Sequence, residues 1–159
     1  MKEIKLSQGK IARVDDDDYE ILKSFTWHIH NKKYAATCFY IKETKGTKSL
    51  FMHRMIMNPM DGVQVDHIDH DGLNNQRSNL RLCSNSQNSK NVGKRKNTSS
   101  KYLGVSYTIN RGHKYIVAQI MCDYKKIKIG QFKSEEDAAK AYDKKAIELF
   151  GDYANINFK

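Results

Sequence analysis

The sequence predicts an α+β chain made of short antiparallel strands and a few capped helices, arranged as two small domains joined by a basic linker. Three observations carry this. Period-2 alternation of apolar and polar residues recurs in short runs bounded by Gly, Asn and Asp, as strands on a half-buried sheet require. Two segments, at 84–90 and 134–150, carry helix-start signatures ahead of their runs. Between the two halves, residues 90–101 lose nearly all apolar content and carry five basic side chains and no acidic one.

The first third reads as strands. Ile11 to Val14 is a brief strand, closed by Asp15 to Asp18, whose carboxylates suit the N-terminus of a helix continuing through Tyr19 to Lys23. Phe25 to His30 and Tyr34 to Ile41 form a hairpin around Asn31-Lys32-Lys33. A further strand from about Ser49 is expected to run through Met52-His53-Arg54-Met55-Ile56 before Asn58-Pro59 breaks the chain. Gly62 to His67 is the next strand. A polar loop follows over 69–78, then a strand at Asn79 to Cys83. Ser84-Asn85-Ser86-Gln87 matches the S-x-x-Q capping box, so a helix from Ser84 would carry Asn88. Beyond the linker, Tyr102 to Ile109, Lys114 to Cys122 and Lys125 to Phe132 alternate as three strands. Ser134-Glu135-Glu136-Asp137 then caps a helix whose apolar face is Ala138, Ala139, Ala141, Tyr142, Ala146, Leu149 and Phe150, ended by Gly151. The expected division is 1–89, a linker at 90–101, and 102–159.

Composition narrows the partners. The chain has 159 residues, with 28 Lys and Arg against 18 Asp and Glu, a formal charge of +10. Residues 1–89 hold 13 basic and 11 acidic side chains, and 102–159 hold ten and seven, so half of the excess lies in the linker. A localised basic patch points to a polyanion. No run approaches the roughly 18 apolar residues of a membrane span, and Met1-Lys2-Glu3-Ile4-Lys5 lacks the apolar stretch of a secretory signal. Cys38, Cys83 and Cys122 are odd in number and far apart, which argues against a disulfide framework or a Cys-rich zinc site. An intracellular, cytoplasmic protein is expected.

The chemistry is concentrated in Asp66, His67, Asn79 and Asn88. An aspartate and an amide oxygen are hard donors suited to Mg²⁺ or Mn²⁺, one ion per site, and leave positions open for water and phosphate oxygens. A neutral imidazole can take a proton from water, and an amide oxygen on its other nitrogen would fix the tautomer. Adjacent strand residues face opposite ways, so Asp66 and His67 can share a site only if the strand ends there. Asp69-His70 repeats the pair three residues later, inside the loop.

Val65-Asp66-His67, Asn75, Asn79-Leu80-Arg81, Asn85, Asn88 and Asn91 together resemble the Asn-ending HNH motif of phage and intron homing endonucleases, with Asn79 and Asn88 twelve and twenty-one positions after His67. The resemblance implies a ββα-metal finger in which Asp66 and Asn88 bind the metal, His67 is the general base and Asn79 orients His67. It also implies hydrolysis of a DNA phosphodiester to 5′-phosphate and 3′-hydroxyl ends. His53-Arg54-Met55-Ile56-Met57 is similar to a segment of these proteins for which a structural or phosphate-contact role is expected. Residues 102–158 resemble the DNA-binding domain of plant ethylene-response (Apetala-type) factors, through Tyr102-Leu103-Gly104-Val105, Ile129-Gly130-Gln131-Phe132 and Ala154 to Phe158, among others. That resemblance implies a sheet docked in the major groove, with Ser106, Thr108, Gln119, Lys126 and Lys128 at matching positions. Gln suits adenine and Lys suits guanine. Lys90, Lys94, Arg95, Lys96 and Lys101 would track the phosphate backbone. Double-stranded DNA is the expected partner. A monomer is expected, a dimer being one route to double-strand cleavage. The alternative reading is a DNA-binding regulator that has lost catalysis.

Overall fold

The computed structural model describes residues 1–91, 99–122 and 125–158. The chain forms two compact units, Met1–Asn85 and Ser86–Lys159, and its described part is an α+β structure of small antiparallel sheets and four α-helices. No described helix is long and apolar enough to cross a membrane.

In the first unit, β1 (Lys2–Lys5) pairs antiparallel with β2 (Ile11–Val14). The sequence reading had only the second of these strands. Helix α1 (Asp16–Leu22) follows, with Asp15 at its N-cap. A three-stranded antiparallel sheet is built from β3 (His28–His30), β4 (Tyr34–Ile41) and β5 (Gly46–Phe51), with β4 in the centre. Asn31 and Lys32 both take positive φ (49° and 58°) in the tight turn that sets the His30–Tyr34 register. The strand expected to continue through Met52 to Ile56 is instead a helix, α2 (Met52–Met57), ended by Asn58 in the left-handed region. There Met52, His53 and Ile56 recur at helical spacing on one buried face.

β6 (Gln64–His67) and β7 (Leu80–Cys83) form an antiparallel pair, with Asp66 opposite Arg81 and His67 opposite Leu80. A 3₁₀ turn at Arg77–Asn79 leads into β7. The core joins Ile4, Leu6, Ala12, Val14, Leu22, Trp27, Ala35, Met52, Ile56, Val65 and Leu80, so nearly every element of this unit contributes to one cluster. Trp27 is fully inside, and its indole N–H is satisfied by the Leu22 carbonyl at 2.8 Å. Helix α3 (Asn85–Lys90) lies at the division between the units.

The second unit contains β8 (Val105–Asn110), β9 (His113–Cys122) and β10 (Lys125–Phe132), antiparallel with β9 central, and helix α4 (Glu135–Phe150). Ser134 caps α4 by accepting the Asp137 N–H at 3.1 Å. The helix presents Ala138, Ala139 and Ala146 to Val105, Ala118 and Ile120 of the sheet. Small side chains on this face let helix and sheet approach closely. The end of the chain is tied back by Asp143, which accepts the N–H groups of Asn157 and Phe158, while Asn157 exchanges hydrogen bonds with the main chain of Leu103.

Gly104 marks the tightest point of this packing. It has φ +74°, and a β-carbon there would overlap the ring of Tyr142. Gly104→Ala is therefore expected to destabilise the second unit by about 1–3 kcal/mol. Denaturant unfolding of the full chain, followed by the second unit's signal, measures this. An unchanged midpoint would show that the glycine is not required.

Candidate active site

The site sits where β6 ends and the chain enters the 68–79 loop. β6 stops at His67, which is the stopping point a shared site for Asp66 and His67 requires. Both residues are buried, at 7% and 4% exposure. Asp66 Oδ2 accepts from Arg81 Nε at 2.9 Å and from Nη2 at 2.7 Å, across the ladder position that pairs them. A carboxylate this far from water needs a counter-charge, and the guanidinium supplies one.

His67 lies among aromatic rings. His53 meets it edge-on with centroids 5.1 Å apart, and Tyr34 is 5.7 Å away. Tyr34 and Phe51 in turn flank His53 at 5.3 and 5.5 Å. β4, β5 and α2 thus furnish the rings gathered around His53 and His67. Burial pushes His67 below its usual pKa. The hydrogen bond to Asn75 and the carboxylates of Asp69 and Asp66 oppose that shift, while Lys33 adds to it. His53, at 8% exposure, is pushed down to about 3, first by burial and then by His67, Arg54 and Lys33.

The loop is held by a closed set of polar contacts. Asp69 N–H donates to Asn79 Oδ1 at 3.0 Å, and Asn79 Nδ2 donates to Asp69 Oδ1 at 2.9 Å and to the Asn74 carbonyl at 2.8 Å. Asp69 Oδ2 accepts from Asn74 Nδ2 at 2.7 Å. Burial alone would raise the Asp69 pKa, but the hydrogen bonds from Asn74, the Asp71 N–H and Asn79 outweigh it and hold the carboxyl below its usual range.

A second set ties the loop to the N-terminal hairpin. Arg13 N–H donates to the Leu73 carbonyl, Asn75 N–H donates to the Arg13 carbonyl, and Arg13 pairs with Asp71. Gly72 packs so closely on the Lys33 carbonyl and the Tyr34 ring that no β-carbon fits.

The orienting contact on His67 is expected from Asn79, but the Asn79 amide bonds within the loop, and the group at His67 Nε2 is Asn75 Oδ1, at 3.3 Å. The acidic run stands where expected, with Asp15 at the N-cap of α1 and Asp16, Asp17 and Asp18 in its first turn, although Asp15 makes no side-chain cap hydrogen bond. Asp15 accepts from the Arg77 N–H and from Gln76 Nε2, while Asp18 accepts twice from the Arg77 guanidinium. Asn75 and Arg81 stand in the motif without these roles, and Tyr34 lies outside it. Their roles come from pairing register and loop closure.

Asn88 is on α3, half-buried, on the second unit's side of the division. Lys90 ends α3 with its Nζ over the Phe150 ring, and Lys101 lies over Tyr102. Lys94, Arg95 and Lys96 lie outside the described residues. On the second unit's sheet, the registers Ser106–Val117, Thr108–Tyr115, Lys128–Gln119 and Lys126–Met121 put Ser106, Thr108, Gln119, Lys126 and Lys128 on one face. It is the face opposite the residues packed on α4, and Met121 adds an exposed apolar side chain to it. The described cysteines are all free thiols.

Asp66 is a buried hard-oxygen donor engaged by the Arg81 guanidinium. Among the described residues no three His, Cys, Asp or Glu side chains gather into a chelating cluster.

A β-hairpin that carries Asp and His at a strand end, with an Asn-rich loop behind them, defines a nuclease class. Residues 58–90 match the profile of the HNH endonuclease family. Over 155 residues the chain is 34% identical to an uncharacterized HNH endonuclease of Acanthamoeba polyphaga mimivirus, across 94% of this chain and 76% of that protein. No solved structure gives a significant match. The chain belongs to the HNH endonuclease family.

The buried His53 generates a pH prediction. Its pKa is about 3 in the fold against about 6.5 in an unfolded chain, so between those values the unfolded state binds the extra proton. Stability from this source is complete above pH 6.5 and falls as the pH drops, by up to about 1.4 kcal/mol per unit. His53→Phe should flatten the stability curve between pH 6.5 and 5. Parallel curves for the two proteins would contradict the burial assignment.

Proposed function

We propose that this protein is a homing-type HNH nuclease that hydrolyses a phosphodiester of double-stranded DNA, leaving 5′-phosphate and 3′-hydroxyl ends. The observation that carries the reading is a buried, ring-enclosed His67 next in sequence to a buried carboxylate, at the end of a strand within the family-matched segment. In this reading His67 is the general base. Burial favours its neutral form, the one able to accept a proton from water. Asp66 and Asn88 would hold one Mg²⁺ or Mn²⁺ through oxygen atoms. Such an ion, when bound, neutralises charge on the scissile phosphate and on the departing 3′ oxygen.

The remaining residues serve that centre. Tyr34 and His53 lie against the imidazole and screen one side of it from water. Asn79 keeps the loop closed behind it, and Arg81 holds the Asp66 carboxylate in place. The three-stranded sheet of the second unit is the proposed DNA-reading surface, of Apetala type, with Gln119, Lys126 and Lys128 as the groups with reach toward bases and Ser106 and Thr108 beside them. The basic residues at 90–101 are proposed to track phosphates.

Two experiments test this. His67→Ala should abolish cleavage of supercoiled plasmid in Mg²⁺ or Mn²⁺ while DNA affinity stays within about twofold. Cleavage retained by that variant would remove His67 as the base. Replacing Lys94, Arg95 and Lys96 with Ala should weaken binding whatever the target sequence and make log K against log salt shallower by up to about 2–3 units. An unchanged slope would show that these residues do not touch phosphate.

A further inference from the structure

Asn75 is wholly buried, at 0% exposure. Its backbone N–H donates to the Arg13 carbonyl at 2.7 Å, beside the bridge between Arg13 and Asn74. This pins the residue to β2 and removes it from the freedom of the loop. Its side-chain Oδ1 lies 3.3 Å from His67 Nε2, and its Nδ2 has no partner among the described residues. An unmet buried amide N–H₂ is destabilising. An apolar side chain of similar size, such as Leu, would avoid that cost. What the amide provides in exchange is its oxygen, directed at one ring nitrogen.

We infer that Asn75 is the positioning residue for His67, setting both the ring's orientation and which nitrogen carries the hydrogen. An amide oxygen can only accept, so the hydrogen resides on Nε2 and the basic lone pair on Nδ1. In the proposed reaction Nδ1 takes a proton from water as the water oxygen bonds to phosphorus and the P–O3′ bond breaks, the 3′ oxygen leaving to be protonated by solvent, while Nε2–H stays hydrogen-bonded to Asn75 Oδ1 throughout. His53, edge-on to the ring, and Tyr34, tilted against it, restrict the remaining rotation. The inference rests on the assignment of His67 as the base, and it moves the orienting role from Asn79 to a motif residue for which the resemblance implies no such role.

The direct measurement is histidine-ring ¹⁵N NMR on the full chain, at a pH where His67 is neutral. The expected result is hydrogen on Nε2 in the wild type and a mixture of tautomers in Asn75→Leu. Hydrogen on Nδ1 in the wild type, or the same tautomer in both proteins, overturns the inference. Kinetically, Asn75→Leu should lower kcat by at least about tenfold, toward the roughly 10²–10⁴ that a general base contributes, with KM for DNA unchanged. Asn75→Asp keeps the shape and the acceptor oxygen and should recover kcat to within a few-fold of wild type. Wild-type kcat in Asn75→Leu, or an Asn75→Asp protein that is folded yet as slow as Asn75→Leu, overturns it as well. Should Asn75→Leu not fold, the wild-type tautomer and the Asn75→Asp rate decide. The NMR result does not depend on cleavage, so an error about Asn75 and an error about His67 as the base are read separately.

Discussion

Asn79 and Asp69 exchange a pair of hydrogen bonds across the mouth of the β6–β7 hairpin, side-chain oxygen to backbone N–H in one direction and amide to carboxylate in the other. The Ile68 N–H adds a third contact, to the Asn79 carbonyl. Between these residues the chain makes an irregular excursion with no strand ladder to hold it, so its backbone entropy must be offset by side-chain hydrogen bonds. Asn and Asp suit that task because their short polar side chains bond to nearby main chain and mimic turns. If the closure opened, Asn74 would lose Asp69, Asn75 would leave His67, and the buried ring would be uncontrolled. Asn79 therefore sits one step behind His67: it closes the loop on which another Asn meets the ring.

The platform is held from outside by the N-terminal hairpin and α1. Isolated exposed ion pairs contribute little, and the Arg13–Asp71 pair, with both partners well exposed, belongs to that class. Asp18 differs. Its carboxylate is nearly buried and receives two hydrogen bonds from one guanidinium, at 2.9 and 2.7 Å, a fork geometry that fixes direction as well as distance. Together with Asp15 on the Arg77 N–H, it locks the loop's exit. Two backbone hydrogen bonds at Arg13 lock its middle. The order of the chain has a mechanical rationale here: the first twenty residues fold against a loop some sixty positions later and restrain it before any substrate arrives.

Much of the fold was legible because strand alternation and capping are local signals. β2, β4, β6, β7, β10 and the capped α4 follow from the pattern of their own residues. The failures have physical causes. Met52 to Met57 is a short apolar run that reads equally as strand or helix, and only burial against the sheet decides it. The acidic run at 15–18 offers both a dipole partner and a salt-bridge partner, and the second lay out of local view, at Arg77. For the site, the residue types and the strand end at His67 were readable. The identity of the ring's partner was not, because Asn74, Asn75 and Asn79 are chemically equivalent on paper and are separated only by loop geometry.

The site's electrostatics divide the labour between its two adjacent residues. Asp66 is buried against a guanidinium that two hydrogen bonds hold to one of its oxygens. His67 has its pKa lowered, because burial dominates the Asn75 hydrogen bond and the carboxylates that would otherwise favour the imidazolium. Two neighbours in one peptide unit thus meet opposite surroundings, a cation for one and the rings of Tyr34 and His53 for the other. The register that sets Arg81 opposite Asp66 and Leu80 opposite His67 brings this about. A slip of one residue in that ladder would set Leu82 opposite Asp66 and Arg81 opposite His67.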